Sequence, residues 1–299
     1  MAGVNSSTLS TITTEFDVRF NDQYKKVEPI HPAFAMEIRS NSKILVHAWL
    51  DSIPGIREWV GPRHIHDVKG VGYSLTNQKW EGTISLKVDD LDDDEIGLYG
   101  PQVDMLAYNA AVHPDILFVD LYKNNGTCYD GVAFYASTHS WRGNTYSNTE
   151  NLALDATNLN TVIQKLIENV ATTGANNEAP LLMNPEFQIV YGPNLRATVQ
   201  ELVEAERNNF GASNINYKIA QPLMIPNLTG DYKNYWFVNI INAPVKPFIF
   251  QPRTDGELVS ITDPTSDSVF MLDEYKWGYK RRYAAGYGLP QLSFRSTGG

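Results

Sequence analysis

The stretch WEGTISLKVDDLDDDEIGLYGPQVDMLAYNAAVHPDILFVDLYKNNG, residues 80–126, contains the change of period that decides the fold. It begins by alternating. Trp80, Ile84, Leu86 and Val88 fall on one side of an extended chain, and Glu81, Thr83, Ser85, Lys87 and Asp89 on the other, which predicts a half-buried strand. At about 3.3 Å per residue, Trp80 to Val88 reaches about 30 Å. After the acidic run Asp89–Glu95 the period becomes helical, with Val103, Leu106, Ala107, Ala110 and Ala111 on one stripe. His113-Pro114 predicts a bend or restart, with Asp115 in the first turn of a second segment. Ile116, Leu117 and Leu121 carry that segment to a stop at Gly126. About 27 helical residues over 96–123 span roughly 40 Å, the width of a compact domain, and form a spine.

Working upstream, Ile44, Val46, Ala48 and Leu50 alternate with Leu45, His47 and Trp49, a run apolar on both faces. The intervening segment is broken by Pro54, Gly55, Gly61, Pro62, Gly70 and Gly72. Residues 43–90 therefore read as one long β-hairpin with an irregular tip. A two-stranded ribbon is marginal alone in water, so its apolar face needs a surface, which a second copy of the chain can supply. Residues 1 to about 40 are Ser/Thr-rich and then carry Pro29 and Pro32. They read as an extended arm, disordered or ordered by contact.

Downstream, Thr127–Ala136 reads as a tight hairpin centred on Asp130-Gly131. A helix then carries Leu159, Val162, Ile163, Leu166 and Val170 and closes near Gly174. LLMNPEFQIVYGP (181–193) supplies a strand. The next helix starts near Pro193, carries Leu195, Val199, Leu202 and Val203, and stops at Gly211. Tyr235–Ile241 reads as a fully buried strand, and Tyr275, Trp277 and Tyr279 alternate with Lys276 and Lys280 on a half-exposed one. The class is α+β, without internal repeats.

The chain has 299 residues and a net charge of −10, from 24 Lys plus Arg against 34 Asp plus Glu. That balance argues against gripping duplex DNA, since affinity there comes from cations neutralising phosphates. The start of the sequence shows neither the basic segment nor the apolar run of a signal peptide. A membrane span needs about 18 uninterrupted apolar residues, and no such stretch occurs. The single cysteine, Cys128, cannot close an internal disulfide.

The patterns that could carry chemistry each have a plainer structural reading. Asp90, Asp92 and Asp94 sit at calcium-loop spacing, but the required glycine is Glu95. Carboxylates ahead of a helix are instead favoured by its positive end. His64, His66 and Asp67 have ligand-like spacing in a strand, yet no second motif completes a zinc site. Gly70-Val71-Gly72 and Gly286-Tyr287-Gly288 both lack the third glycine of a phosphate loop, with Leu75 and Gln291 in its place. Cys128 has no neighbouring histidine and reads as a small buried thiol. The basic run Lys276–Arg282 could meet nucleic acid or an acidic partner, but it also fits a strand with a buried aromatic face and solvated cations.

Several strings, in order, carry a resemblance. They are IPGIREWVG (53–61), GYSLTNQKWEGTISLKVDDLDDDEIGLYGP (72–101) and AAVHPDILFVDLYKNNGTCYDG (110–131), followed by LLMNPEFQIVYGPNLRATVQELVEA (181–205), NAPVKPFIFQ (242–251) and DSVFMLDEYKWGYKRRYAAGYGLPQLSF (267–294). With these the chain resembles the major head (capsid) proteins of Mu-like tailed bacteriophages. The resemblance implies the tailed-phage major capsid fold. Its parts would be an N-terminal arm (1–42), an extended β-hairpin loop (43–90), a peripheral domain with the spine helix (91–154), an axial domain (155–250) and a return to the peripheral domain (251–299). It also implies a function without catalysis or cofactor. Hexamers and pentamers would close into an icosahedral shell around the genome, formed in the host cytoplasm and kept in the virion. A separate scaffolding protein, a portal and a cement protein would be partners, and packaged DNA would be touched only weakly. The expected intersubunit contacts are Arg57, Trp59 and Arg63 at the loop tip and Trp80, Ile84, Leu86 and Val88 on its second strand. Two alternatives remain at this stage. One is an encapsulin-like nanocompartment shell, distinguished by enzyme cargo in place of nucleic acid. The other is a metal-dependent hydrolase built on His64 and His66.

Overall fold

The computed structural model describes residues 6–51, 72–92, 99–141, 144–172, 182–207, 211–263 and 265–299. Its centre is a long hairpin of β11 (Phe248–Ile261) and β12 (Glu274–Tyr287), 14 residues each. On one side β11 pairs in parallel with β1 (Ala35–Glu37), and on the other β12 pairs antiparallel with β4 (Gln78–Lys87). Pro252 cannot donate a ladder hydrogen bond, and the β11–β12 register shifts just beyond it.

The partner of β4 differs from the sequence expectation. Among the described residues Ile44–Val46 (β2) pairs only with Ser74–Thr76 (β3), while β4 runs beside β12 from Lys87↔Glu274 to Gln78↔Tyr283. The reason lies in β12, whose Tyr275, Trp277 and Tyr279 line one face of the sheet and extend the apolar face of Leu86 and Ile84. A strand joined there buries its stripe within its own chain. It then continues as a short helix, α2 (Val88–Asp92).

Helix α3 (Gly100–Asn124) crosses this face as the predicted spine. It runs continuously through buried Pro114, so the predicted restart is not found. It ends at Asn125, in the left-handed region at φ 46°, whose N–H donates to Leu121 O, one residue before the expected glycine. The approach to the sheet is close, and a side chain at Gly82 would place its Cβ 2.8 Å from Leu106.

The N-terminal arm is likewise a correction. Residues Ser6–Lys26 form a 21-residue helix, α1, and not an extended segment. Leu9, Ile12, Phe16 and Phe20 are spaced for one helical stripe and are buried against Val103, Ala107, Trp277 and Tyr279. Ser and Thr disfavour helix interiors weakly, and burial of this stripe outweighs that preference. The helix ends ahead of Pro29, as proline requires.

A second sheet of five strands has the order β7 (Thr149–Glu150), β13 (Ser293–Ser296), β10 (Trp236–Ile240), β8 (Phe187–Tyr191) and β9 (Ala220–Met224). Every residue of β8 and β10 is buried, polar Gln188 and Asn239 included, as the sequence predicts for the Tyr235–Ile241 strand. Helix α4 (Ala156–Thr172) covers this sheet with the predicted stripe from Leu159 to Val170. Past Gly192 the chain makes a 3-10 turn, α5 (Arg196–Val199) and a π turn, and it turns extended at Ala205, ahead of Gly211. Strand β13 pairs with β10 and so leaves the first sheet. The turn at Asp130-Gly131 forms with Gly131 at φ 84°, closed by a single bridge between Thr127 and Ala133. A small hairpin of β5 (His139–Trp141) and β6 (Asn144–Tyr146) follows. The two sheets share one core, in which fully buried Phe248 lies 4.8 Å from Tyr122 and 5.1 Å from Phe134.

Candidate assembly surfaces

The loop expected to reach a neighbouring copy leaves the body at Val46 and returns at Ser74. Arg57, Trp59 and Arg63 at its tip lie outside the described residues, as do His64, His66 and Asp67. Its second strand is described, and there the expectation changes. Leu86 is 1% exposed inside the cluster formed by α1, α3 and β12, and Ile84 and Val88 are half-buried against the same cluster. Trp80 donates its indole N–H to Tyr283 O at 3.2 Å, and its ring centroid lies 4.4 Å from that of His113. Within the chain, the Leu86 side chain is enclosed, and Trp80, Ile84 and Val88 turn apolar surface to the same body. The cause is the pairing of β4 with β12.

The basic run proves structural. Tyr275, Trp277 and Tyr279 are buried, Lys276 faces Glu274 at 3.8 Å, and Lys280 faces Glu257 at 3.6 Å. Arg281 donates to Tyr24 Oη at 3.1 Å. Asp90 accepts from the Tyr99 hydroxyl. Among the described residues, no three His, Cys, Asp or Glu side chains gather as a metal site would require. The Cys128 thiol is 4% exposed and burial pushes its pKa up, so it is an inert core group. His113 Nδ1 and the Tyr283 hydroxyl share a hydrogen bond at 2.6 Å. Burial lowers the His113 pKa and raises that of Tyr283, which keeps the pair neutral.

A surface not picked out from sequence lies at the far end of the long hairpin. Helix α6 (Asp267–Leu272) connects β11 to β12, with Ser266 Oγ accepting from Val269 N and Asp273 in the left-handed region at φ 55°. Phe270, Met271 and Leu272 are 82%, 73% and 58% exposed, and Val259 and Ile261 near the end of β11 are exposed as well. Asp263, Asp267, Asp273 and Glu274 surround them in sequence, with no cation before Lys276. A consecutive apolar run held outward on a short helix is an exposed patch of the kind contacts use. The signal was the string VFML between acidic residues, which by itself also fits a buried strand.

An arm helix and a spine laid across a long-hairpin sheet, beside a second mixed sheet, define the class of tailed-phage capsid shell subunits. The fold is similar to the procapsid subunit of bacteriophage JBD30, with a TM-score of 0.62 at 23% identity, covering 98% of this chain and 76% of that one. The chain belongs to the family described as Mu-like prophage major head subunit gpT, whose model matches residues 9–158 and 221–298. It is 26% identical over 297 residues to the major capsid protein of Escherichia phage Mu, covering 99% of this chain and 75% of that protein. It is 24% identical over 300 residues to the FluMu major head subunit of Haemophilus influenzae, covering 100% and 76%. The function is that of a major capsid protein, which forms the phage head shell and resides in the virion. It is a structural protein and not an enzyme. The nanocompartment and hydrolase alternatives are set aside on family membership.

Proposed function

We propose that the shell is built from rings of five or six copies joined head to tail, and that the 52–71 loop and the α6 tip are the two halves of a contact between copies. The exposed Phe270-Met271-Leu272 face carries this reading. Its acidic surround has the charge opposite to Arg57 and Arg63, and Trp59 is suited to fill an apolar patch as an anchor. A contact between two different surfaces of identical subunits generates a ring when its rotation closes. Each contact can be weak, because a copy held by several neighbours leaves only when all open together.

In this reading residues 91–154 with β11 and β12 form the peripheral part, and α4, β8, β9 and β10 with β13 form the axial part. The similar JBD30 protein is known as a procapsid and as a capsid decorated with minor capsid protein trimers. By analogy we assign this protein a precursor shell assembled on a scaffolding protein, a portal, and a decorating cement protein. The net charge of −10 suits a container that holds DNA without gripping it.

Electron microscopy of the expressed protein tests the contact. Met271→Asp and Trp59→Ala should each give soluble subunits or open rings where the parent gives closed shells. Closed shells from both variants, as stable as the parent's, would remove both surfaces from the interface.

A further inference from the structure

Where the 52–71 loop leaves the body, a buried polar relay joins four segments. The His47 ring is 1% exposed, and its neighbours Gln251, Asn77 and Ser40 are buried too. Gln251, on β11, donates from Nε2 to Leu75 O at 3.3 Å and to Asn77 Oδ1 at 3.0 Å, which leaves its Oε1 as an acceptor. That oxygen lies 2.9 Å from His47 Nε2, so His47 donates there. On the other side the Trp49 indole N–H donates to His47 Nδ1 at 3.4 Å, so Nδ1 is bare. Asn77 Nδ2 continues the relay to Ser40 Oγ at 3.1 Å and Ser42 O at 2.9 Å. The backbone supports it through His47 N to Tyr73 O at 2.7 Å and Asn77 N to Lys43 O at 2.9 Å.

Each hydrogen bond fixes the direction of the next, and together they require the neutral Nε2–H tautomer of His47. A second proton on Nδ1 would face the Trp49 N–H, donor against donor, on a ring that is itself 1% exposed. The titratable group facing His47 is the Tyr73 phenol, which accepts from Tyr287 N at 2.9 Å and is itself held neutral by burial. Trp49 and Gln251 are neutral, so among the described residues no carboxylate compensates an imidazolium here.

The geometry points to His47 as a protonation-operated latch that holds the base of the 52–71 loop to the body sheet and releases it on acidification. Neither shell formation nor family membership calls for such a device. Burial lowers the His47 pKa from its ordinary value, in keeping with a ring that must stay neutral while the base is closed. Opening the base exposes the ring, which then titrates near its ordinary value of about 6.5. The opening equilibrium therefore gains up to about tenfold between pH 7.5 and 5.5, the limit set by a closed ring that stays neutral throughout.

Hydrogen exchange of the unassembled full-length protein, corrected for intrinsic rates, should show this gain at the amides of His47 and Asn77. In His47→Gln, which keeps a donor but cannot gain the proton, those amides should show no dependence on pH. An unchanged opening equilibrium in the parent, or the same gain in the variant, would overturn the latch. The parent alone gives a second measurement through exchange at the imidazole Cε1–H. His47 should titrate below 6.5, and titration at or above that value also overturns the proposal.

Discussion

The ring of Phe16 on α1 meets the indole of Trp277 on β12 edge-on, with centroids 5.0 Å apart and planes at 66°. This contact makes the N-terminal helix part of the body. Around it Leu9, Ile12 and Phe20 close a cluster that would otherwise leave the aromatic face of β12 open. Phe16→Ala should cost about 3–5 kcal/mol of unfolding free energy, since it empties a buried aromatic site. The nearby Arg19–Asp104 pair has good geometry, at 2.8 and 2.6 Å, but its side chains are 41% and 34% exposed. Arg19→Ala should therefore cost at most about 1 kcal/mol. Urea unfolding of the unassembled protein measures both, and equal costs would mean that α1 is held by charge and not by burial.

Strand β4 and the α6 tip should respond in opposite ways. Leu86→Ala removes a side chain buried among α1, α3 and β12, and should destabilise the isolated subunit by about 2–5 kcal/mol. Phe270→Ser removes a side chain that is 82% exposed, and should leave subunit stability within about 0.5 kcal/mol. Chemical denaturation compares the two. A large loss in Phe270→Ser would show that the tip packs within its own chain.

Stability should fall at both ends of the pH scale. His47 and His113 have lowered pKa values in the fold, mainly through burial, so the unfolded chain binds protons more readily. Their contribution is complete above about pH 6.5 and is lost as pH falls toward the folded values. Tyrosines act in the opposite sense. Burial pushes Tyr287 up to about 12 and Tyr73, Tyr279 and Tyr283 higher, so their contribution is complete below about pH 10 and is lost above it. Thermal melts from pH 5 to 11 should give a plateau between about 7 and 9.5. A melting temperature that still rises below pH 6 contradicts the histidine part.

Cys128 should resist thiol reagents in the folded protein and react fully once it is unfolded. Burial both blocks access and disfavours the thiolate. A colorimetric thiol assay with and without denaturant tests this. Rapid labelling under native conditions would mean that the turn at Asp130-Gly131 opens readily.

Much of the fold was legible as periodicity. The spine, the α4 stripe and the all-buried strand β10 follow from residue spacing, because each buries one face or both against a single core. Helix α1 is not legible in the same way, because its Ser and Thr residues weaken the local preference and its stripe is stabilised only by packing against α3 and β12. The candidate contacts divided along similar lines. Trp80 to Val88 were rightly read as one apolar side of a strand, but nothing local shows whether that side meets its own chain or another.

The sequence by itself determined which residues must leave water and at what period, since hydrophobic patterning is a property of neighbours along the chain. Tertiary structure alone decided pairing. Strand β4 lies beside β12, nearly two hundred positions away, because only there does its stripe join the aromatic face of Trp277 beneath α1 and α3. The same holds for His47, whose proton placement is set by Gln251 from a distant strand. Hydrogen-bond direction and shared burial arise between segments that meet only in the folded chain, so no reading along the chain contains them.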